Sequence, residues 1–341
     1  MEKLTRREAI GKFGLAAMAA AFLPEELMAE RVSQDKIILG SGAHTYEWLP
    51  GWAKLPEGMK YVGSTHGNVG VDAHDRVFFN TDTENAVMIF EPDGKFVKAW
   101  GKELRGAHGM KIAKEGDHEV VWLCSLARNE VLKCTLDGEV LLTIPFPEQS
   151  GVYKGKGDYK PTGVCIAPNG DVYVGDGYGK SWCHHWTAKG EYVGSWNGSE
   201  RQGGTFSTPH GMCIDLRGKD PLVAVADRSN SRLQWFTLDR KFVSEAREGM
   251  INPCTLYIRG DDIVVPDLKG RITLLNRENK LIAHLGENED PKKRGNFGVD
   301  PADWKNGQFT APHGAAWDSK GDLYVEDWNK SGRVNKLKRV Q

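Results

Sequence analysis

The dipeptide His-Gly occurs four times, as His66-Gly67, His108-Gly109, His210-Gly211 and His313-Gly314. With 40 glycines and 10 histidines among 341 residues, about one such pair is expected by chance. The contexts are alike: "STHGNVGVD", "GAHGMKI", "TPHGMCID" and "APHGAAWD". They mark one place in a repeating unit, so a circular repeat would gather the four imidazoles around one axis. Converging imidazoles are a metal site. Three of them with an open fourth position suit zinc, whereas four suit iron. The plainer alternative is that the histidines are turn-forming members of the repeat, hydrogen-bonded locally.

The elements that must position them follow from the pattern around them. Each unit shows a strand, a turn such as "PNGD", a second strand ending in or near Asp, a polar turn, a third strand, a second tight turn and a fourth strand. Apolar and polar residues alternate, with turns at short regular intervals, which predicts short antiparallel strands. Six such units predict an all-β, six-bladed β-propeller with four-stranded antiparallel blades. Unit five has Cys254-Thr255 where others have His-Gly. Residues 36–39 are expected to supply a strand that closes the ring with the last blade. Each second strand returns to the face where the histidines stand. Asp176-Gly177-Tyr178 and Asp227-Arg228 are therefore expected on that face, with the links between blades. The most charged link, 287–303, is a candidate rim or lid.

Composition sets further bounds. Lys plus Arg total 45 against 46 Asp plus Glu, so no basic excess points to a nucleic-acid partner. Residues 1–29 differ in kind. Arg6 and Arg7 precede an apolar run over 13–23 that is short for a membrane span, and Leu27-Met28-Ala29 offers a cleavage site. This reads as a twin-arginine export signal, to be recognised by the twin-arginine translocase. It implies a periplasmic or extracellular protein that is not an integral membrane protein after cleavage. The alternative is an amphipathic helix packed on the domain. Residues 30–60 are then a lead-in with the closing strand, and 61–341 the propeller, expected to be a monomer. The six cysteines have no CxxC spacing. Cys124 and Cys134 flank a turn and would face each other across a hairpin, as a disulfide or as buried thiols.

The strings "KPTGVCIAPNGDVYVGDGYG", "GGTFSTPHGM" and "VADRSNSRLQWF" make the chain resemble NHL-repeat six-bladed propellers. Within these it is similar to the peptidyl-α-hydroxyglycine α-amidating lyase group. The resemblance implies a catalytic zinc held by His108, His210 and His313. It also implies that Tyr178, in the "DGY" string, acts as the base and that Arg228, in the "ADR" string, contacts substrate. Four departures accompany it. "NTDTEN", with Thr81, stands where the family has a unit-one arginine. Gly314 replaces a calcium-binding Asp, which makes calcium doubtful. Ala311 replaces a Met. His66 stands where the family has an apolar residue. The pocket has thus exchanged a cation for an imidazole, which implies the same scaffold and metal with a different substrate.

Each residue also has a plainer role. His66 is a fourth ligand, a second-shell partner or a substrate contact. Tyr178 has a free pKa near 10 and needs a nearby dication to act as a base; otherwise it stacks on the ligand. Arg228 either binds substrate or braces its loop. Asp176, Asp227 and Asp327 recur as turn-capping residues. His184 and His185 are structural, and His74 and His118 belong to the far face. Three functions remain open. One is a metal-dependent lyase or hydrolase that cleaves a C–N or C–O bond in a small-molecule, peptide or glycan substrate. Another is a four-histidine iron oxygenase. The third is a non-catalytic propeller that binds peptide, glycan or protein.

Overall fold

The computed structural model describes residues 36–199 and 204–340. The expected export signal, residues 1–29, lies outside the described residues. The chain enters through β1 (Ile38–Leu39) and β2 (Tyr46–Leu49). Blade 1 is β3–β6 (Val69–Val71, Val77–Asn80, Val87–Phe90, Phe96–Trp100). Blade 2 is β7–β10 (Ala107–Glu115, His118–Ser125, Glu130–Thr135, Val140–Ile144). Blade 3 is β11–β14 (Gly163–Ile166, Val172–Gly175, Cys183–Trp186, Tyr192–Trp196). Blade 4 is β15–β18 (Pro209–Asp215, Leu222–Asp227, Arg232–Thr237, Phe242–Ala246). Blade 5 is β19–β22 (Tyr257–Arg259, Asp262–Asp267, Arg271–Leu275, Leu281–Leu285). Blade 6 contributes β23–β25 (Pro312–Trp317, Leu323–Asp327, Arg333–Arg339). Every neighbouring pair in these sheets is antiparallel, as the alternation predicts.

The core is divided into six apolar layers, each lying between consecutive blades. One joins Val120 and Trp122 of blade 2 to Val172 and Trp186 of blade 3. The last joins Trp52, Val77 and Phe79 to Ala316 and Tyr324, across the gap between the end of the ring and its start. Burial of this kind drives the fold, because the second and third strands are covered on both faces.

Ring closure differs from the expectation. The strand paired with β25 is β2, through Tyr46↔Arg339 to Leu49↔Lys336. β1 lies outside it, as a fifth strand of that sheet. The reason is side-chain periodicity. Tyr46 and Trp48 alternate inward and are buried beside Phe309 and Leu337, whereas Ile38 is 48% exposed.

One further expectation changes. Cys124 pairs with Val131 and Cys134 with Val121, so the two cysteines do not face each other. Position 124 is three steps from 121, and an odd step puts the side chains on opposite faces. Cys134 packs toward blade 1 and Cys124 toward blade 3, and all six cysteines are free and buried. The link 287–303 is also firmly tied. Gly295 N–H donates to Thr310 O, Lys330 N–H to Phe297 O, and Asn329 Nδ2 to Val299 O.

Candidate metal centre and upper face

Strand register defines one axial position per blade. In blade 4, His210 lies two residues before Met212, whose partner is Val225. The matching residues are His108 in blade 2 and His313 in blade 6. In blades 3 and 5 they are Thr162 and Cys254. In blade 1 Val69 pairs with Phe79, so the axial residue is Gly67, and Thr81 takes the place of the recurrent Asp. His66 is therefore one residue out of step with the other three His-Gly pairs, at the position that is Pro209 in blade 4. The likeness of its local sequence conceals an added residue between His66 and Asp72.

The three axial histidines occur in alternate blades, and each bonds the main chain of the next blade. His108 Nδ1 meets Thr162 O at 2.8 Å, His210 Nδ1 meets Cys254 O at 2.7 Å, and His313 Nδ1 meets Gly67 O at 2.6 Å. A carbonyl only accepts, so Nδ1 carries the proton and Nε2 presents its lone pair. The rings are 1–2% exposed, and their centroids lie 4.7–5.0 Å apart. Burial holds all three far below the usual histidine pKa, and neighbouring charges reinforce this. The buried Nε2 atoms of His108 and His313 have no hydrogen-bond partner among the described residues. Neutral imidazoles fixed through Nδ1, with Nε2 lone pairs available, are what a divalent transition metal requires; the lone pairs of His108 and His313 are unpartnered, and that of His210 meets only the Tyr178 hydroxyl. The donor set therefore fits zinc.

The glycine of His-Gly has a separate cause. A Cβ on Gly211 would lie 2.5 Å from Thr255 Cα, and one on Gly314 would lie 2.5 Å from Asn68 Cα. First strands of neighbouring blades meet backbone to backbone here, so histidine presents the nitrogen while glycine permits the approach.

Tyr178 and Arg228 follow second strands β12 and β16, on the face where the histidines stand. Tyr178 Oη lies 2.9 Å from His210 Nε2 and 3.1 Å from His66 Nε2. Arg228 donates to the same oxygen at 3.2 Å, and its guanidinium stacks 5.2 Å from the ring centre. Burial pushes the Tyr178 pKa up, while Arg228 pulls it down. Since His210 Nε2 accepts, the hydroxyl donates to His210 and His66 Nε2–H donates to the hydroxyl. His66 also lies 4.8 Å from His108 and 5.1 Å from His313 between ring centres. The structure thus brings all six sequence-derived candidates into one cluster.

The remaining candidates are elsewhere. His184 bonds Tyr153 Oη and Ser195 Oγ, and His185 bonds Asp171 and Arg240. Asp176, Asp227, Asp267 and Asp327 accept main-chain N–H groups from the segment leading into each blade. That capping fixes the chain just ahead of the axial residue. Thr81 is turned into its own loop, bonding Asn85 O and Thr83.

Two residues were missed, Asp82 and Trp328, and Cys254 was placed in the repeat without a role. Cys254 is axial, and its sulfur lies within 4.8 Å of nitrogens of His210 and His313. Burial raises its thiol pKa to about 11, against the pull of Arg228. Asp82 and Trp328 occupy the repeat position of Arg228, one past the recurrent Asp or its counterpart Thr81, in blades 1 and 6. The signal was available, because "VAD-R" and "VED-W" align. Trp328 lies 5.7 Å from His66, while Asp82 accepts from Ser64 Oγ and acts electrostatically on His66.

No family model matches the chain. The chain is a six-bladed β-propeller with amidating-lyase and NHL-repeat relatives. Peptidyl-alpha-hydroxyglycine alpha-amidating lyase 1 of Drosophila melanogaster is 31% identical over 166 residues, 45% of this chain and 29% of that protein. A probable enzyme of the same name from Caenorhabditis elegans is 25% identical over 277 residues, covering 76% of this chain and 73% of its own. Human NHL repeat-containing protein 3 is 26% identical over 199 residues, 55% and 56% of the two chains. The matched segments thus span under a third of the fly protein and just over half of the human one. Among solved structures, a streptogramin B lyase has a TM-score of 0.57 at 14% identity, covering 82% of this chain and 95% of its own. A gluconolactonase-like protein has a TM-score of 0.58 at 15% identity, covering 88% and 93%. At those identities the likeness concerns the fold alone.

Proposed function

We propose that the protein is a zinc-dependent lyase acting on a hydroxylated amide. The observation that carries this is the trio of neutral, buried imidazoles with main-chain-fixed Nδ1 atoms, two of them with unpartnered Nε2. His108, His210 and His313 would hold the ion. When bound, zinc supplies Lewis acidity to a substrate oxygen and favours the ionised form of a nearby hydroxyl. Tyr178 takes the proton of the substrate hydroxyl as general base. Collapse of that oxygen to a carbonyl breaks the adjacent C–N bond, and the proton passes to the departing amide nitrogen. The products are an amide and an aldehyde or keto compound, with no net redox change. Arg228 donates to Tyr178 Oη and so stabilises its negative form.

The relatives named amidating lyases support the reaction class, and the upper face supports a different substrate. Blade 1 presents Asp82 and His66 where a carboxylate-binding cation would be needed. Arg228 is committed to Tyr178 and Cys254. An uncharged hydroxylated amide suits this face better than one ending in a free carboxylate. Export through the twin-arginine route, with the metal already loaded, belongs to the same proposal.

The test is elemental analysis of the wild type and of a His108→Ala/His210→Ala variant, followed by an assay for aldehyde release from carbinolamides. About one zinc per chain, lost in the variant, with turnover of neutral carbinolamides, is expected. Iron in its place would shift the assignment to oxygen chemistry with His66 as a ligand. Metal-free protein that turns nothing over would leave a binding propeller.

A further inference from the structure

Four aromatic rings run from the blade 5–6 link to the centre of the site. Phe297 lies 4.9 Å from Trp328 between ring centres, at 35°. Trp328 lies 5.7 Å from His66 at 37°, and His66 lies 5.8 Å from Tyr178 at 26°. All four side chains are partly exposed. Exposure distinguishes them from the interior aromatics, which are buried whether they cross steeply, as in Trp196–Phe236 at 62°, or stack, as in Phe79–Phe90 at 19°. A row of partly exposed rings that lean on one another and lead to the site leaves aromatic surface that a ligand can touch.

The surface is also held in place. Trp328 N–H donates to Ala311 O at 2.7 Å, and Lys330 N–H holds Phe297 O at 3.1 Å. Asn329 Nδ2, buried between them, holds Val299 O at 2.9 Å. Rings fixed this way lose little freedom when something stacks on them. One end of the row is apolar, at Phe297. The other is polar, at Tyr178 Oη and the axial imidazoles. An occupant suited to the row is apolar or aromatic at one end and polar where it reaches Tyr178. The anionic flank at Asp82 disfavours a carboxylate beside it.

We propose that Trp328 and Phe297 form a specificity shelf that binds an aryl group attached to the reacting hydroxylated amide. The proposal rests on the lyase reading for the reacting end of the ligand and on the ring geometry alone for the shelf.

The test uses the full exported chain, loaded with zinc, and two ligand pairs. Calorimetry compares non-reacting N-benzoylglycinamide with N-acetylglycinamide. Kinetics compare the corresponding α-hydroxylated amides. The benzoyl compound is expected to bind about tenfold more tightly, the scale of one aromatic stack in a fixed site. Trp328→Ala should bring benzoyl affinity down to the acetyl level, whereas Trp328→Phe should keep most of the preference. Phe297→Ala should reduce it. Circular dichroism of each variant checks folding, and Phe297→Ala carries the test if Trp328→Ala does not fold. Equal affinity for the two amides, or a preference that survives Trp328→Ala, overturns the shelf. Benzoyl-selective binding without turnover of either hydroxylated compound supports the shelf and defeats the lyase reading. Turnover of both with equal KM does the reverse. Free aryl amides and peptides with an aromatic residue before the hydroxylated position share this chemistry. Comparing N-benzoyl with N-acetyl-phenylalanyl compounds tells which source fits.

Discussion

Blades 2, 4 and 6 and blades 1, 3 and 5 use one backbone position in two ways. In the first set it carries His108, His210 and His313. In the second it carries Gly67, Thr162 and Cys254, whose carbonyl oxygens receive the Nδ1–H of those histidines. One blade supplies a side chain and the next supplies main chain, three times around the ring. The difference teaches where residue type matters to this geometry. Histidine is demanded in one set, while the other contributes an atom that every residue has. It also explains why His66, one residue out of register, makes no such bond and turns toward Tyr178 and Trp328 instead.

The sharpest way to break this comparison is to remove an imidazole from each class. His108→Ala or His313→Ala should abolish stoichiometric metal binding, whereas His66→Ala should retain about one ion per chain. Elemental analysis reads both. Loss of metal from His66→Ala to the same extent would erase the distinction between axial and offset histidines. Next in size is Tyr178→Phe. It keeps the ring against His66 and His108 but removes the hydroxyl, so kcat should fall by about 10²–10⁴ with metal content unchanged. Unaltered turnover of a neutral carbinolamide would remove Tyr178 as base.

The fold was legible because a period-two pattern with regular turns, repeated six times, leaves few architectures. The site was legible in part. His108, His210 and His313 stood out by type and context, and Tyr178 and Arg228 by the strings around them. His66 was misplaced because "HGNVGVD" imitates "HGMCID" while carrying an extra residue, and only strand pairing fixes register. The role of Thr162, Cys254 and Gly67 was invisible for a deeper reason. A main-chain carbonyl leaves no mark in the sequence. Trp328 was within reach, since it shares the repeat position of Arg228. Closure by Tyr46–Leu49 was also within reach, because Tyr46 and Trp48 alternate as an inward face does.

The glycine half of the motif gives a third test, on stability. Gly211→Ala drives a methyl group to 2.5 Å from Thr255 Cα and 2.6 Å from Cys254 O, where backbone must yield. A loss of about 1–3 kcal/mol is expected, read from the denaturant midpoint. No change would mean that the blades do not meet at the axis as described. A fourth test contrasts the axial imidazoles with His184, buried in blade 3 but bonded at both nitrogens. Burial lowers its pKa to about 3. The unfolded chain therefore binds a proton from about pH 6.5 downward, while the folded chain resists until about pH 3. Stability from this group is complete above pH 6.5 and is lost progressively as pH falls toward 3. In that window the slope of stability against pH should be shallower in His184→Gln, by at most about 1.4 kcal/mol per pH unit. Parallel slopes would show that His184 is protonated in the folded chain.

The smallest expected effect is the most discriminating. Cys254 is axial, and its sulfur sits near His210 and His313 in an arrangement that could itself hold a metal. The alternation of blades assigns it another task, since its carbonyl bonds His210 Nδ1 at 2.7 Å. A thiol held near pH 11 is a poor source of thiolate, although a bound ion would favour ionisation. Cys254→Ser keeps the main chain and nearly the same volume but supplies a far weaker soft ligand. If blade 5 contributes only main chain, the variant retains its zinc stoichiometry and affinity, and a cobalt-substituted protein shows the same visible spectrum as the wild type. If the sulfur ligates, the thiolate-to-cobalt charge-transfer band of the wild type disappears and affinity falls. The spectrum therefore decides whether the odd blades serve the centre through their backbone alone.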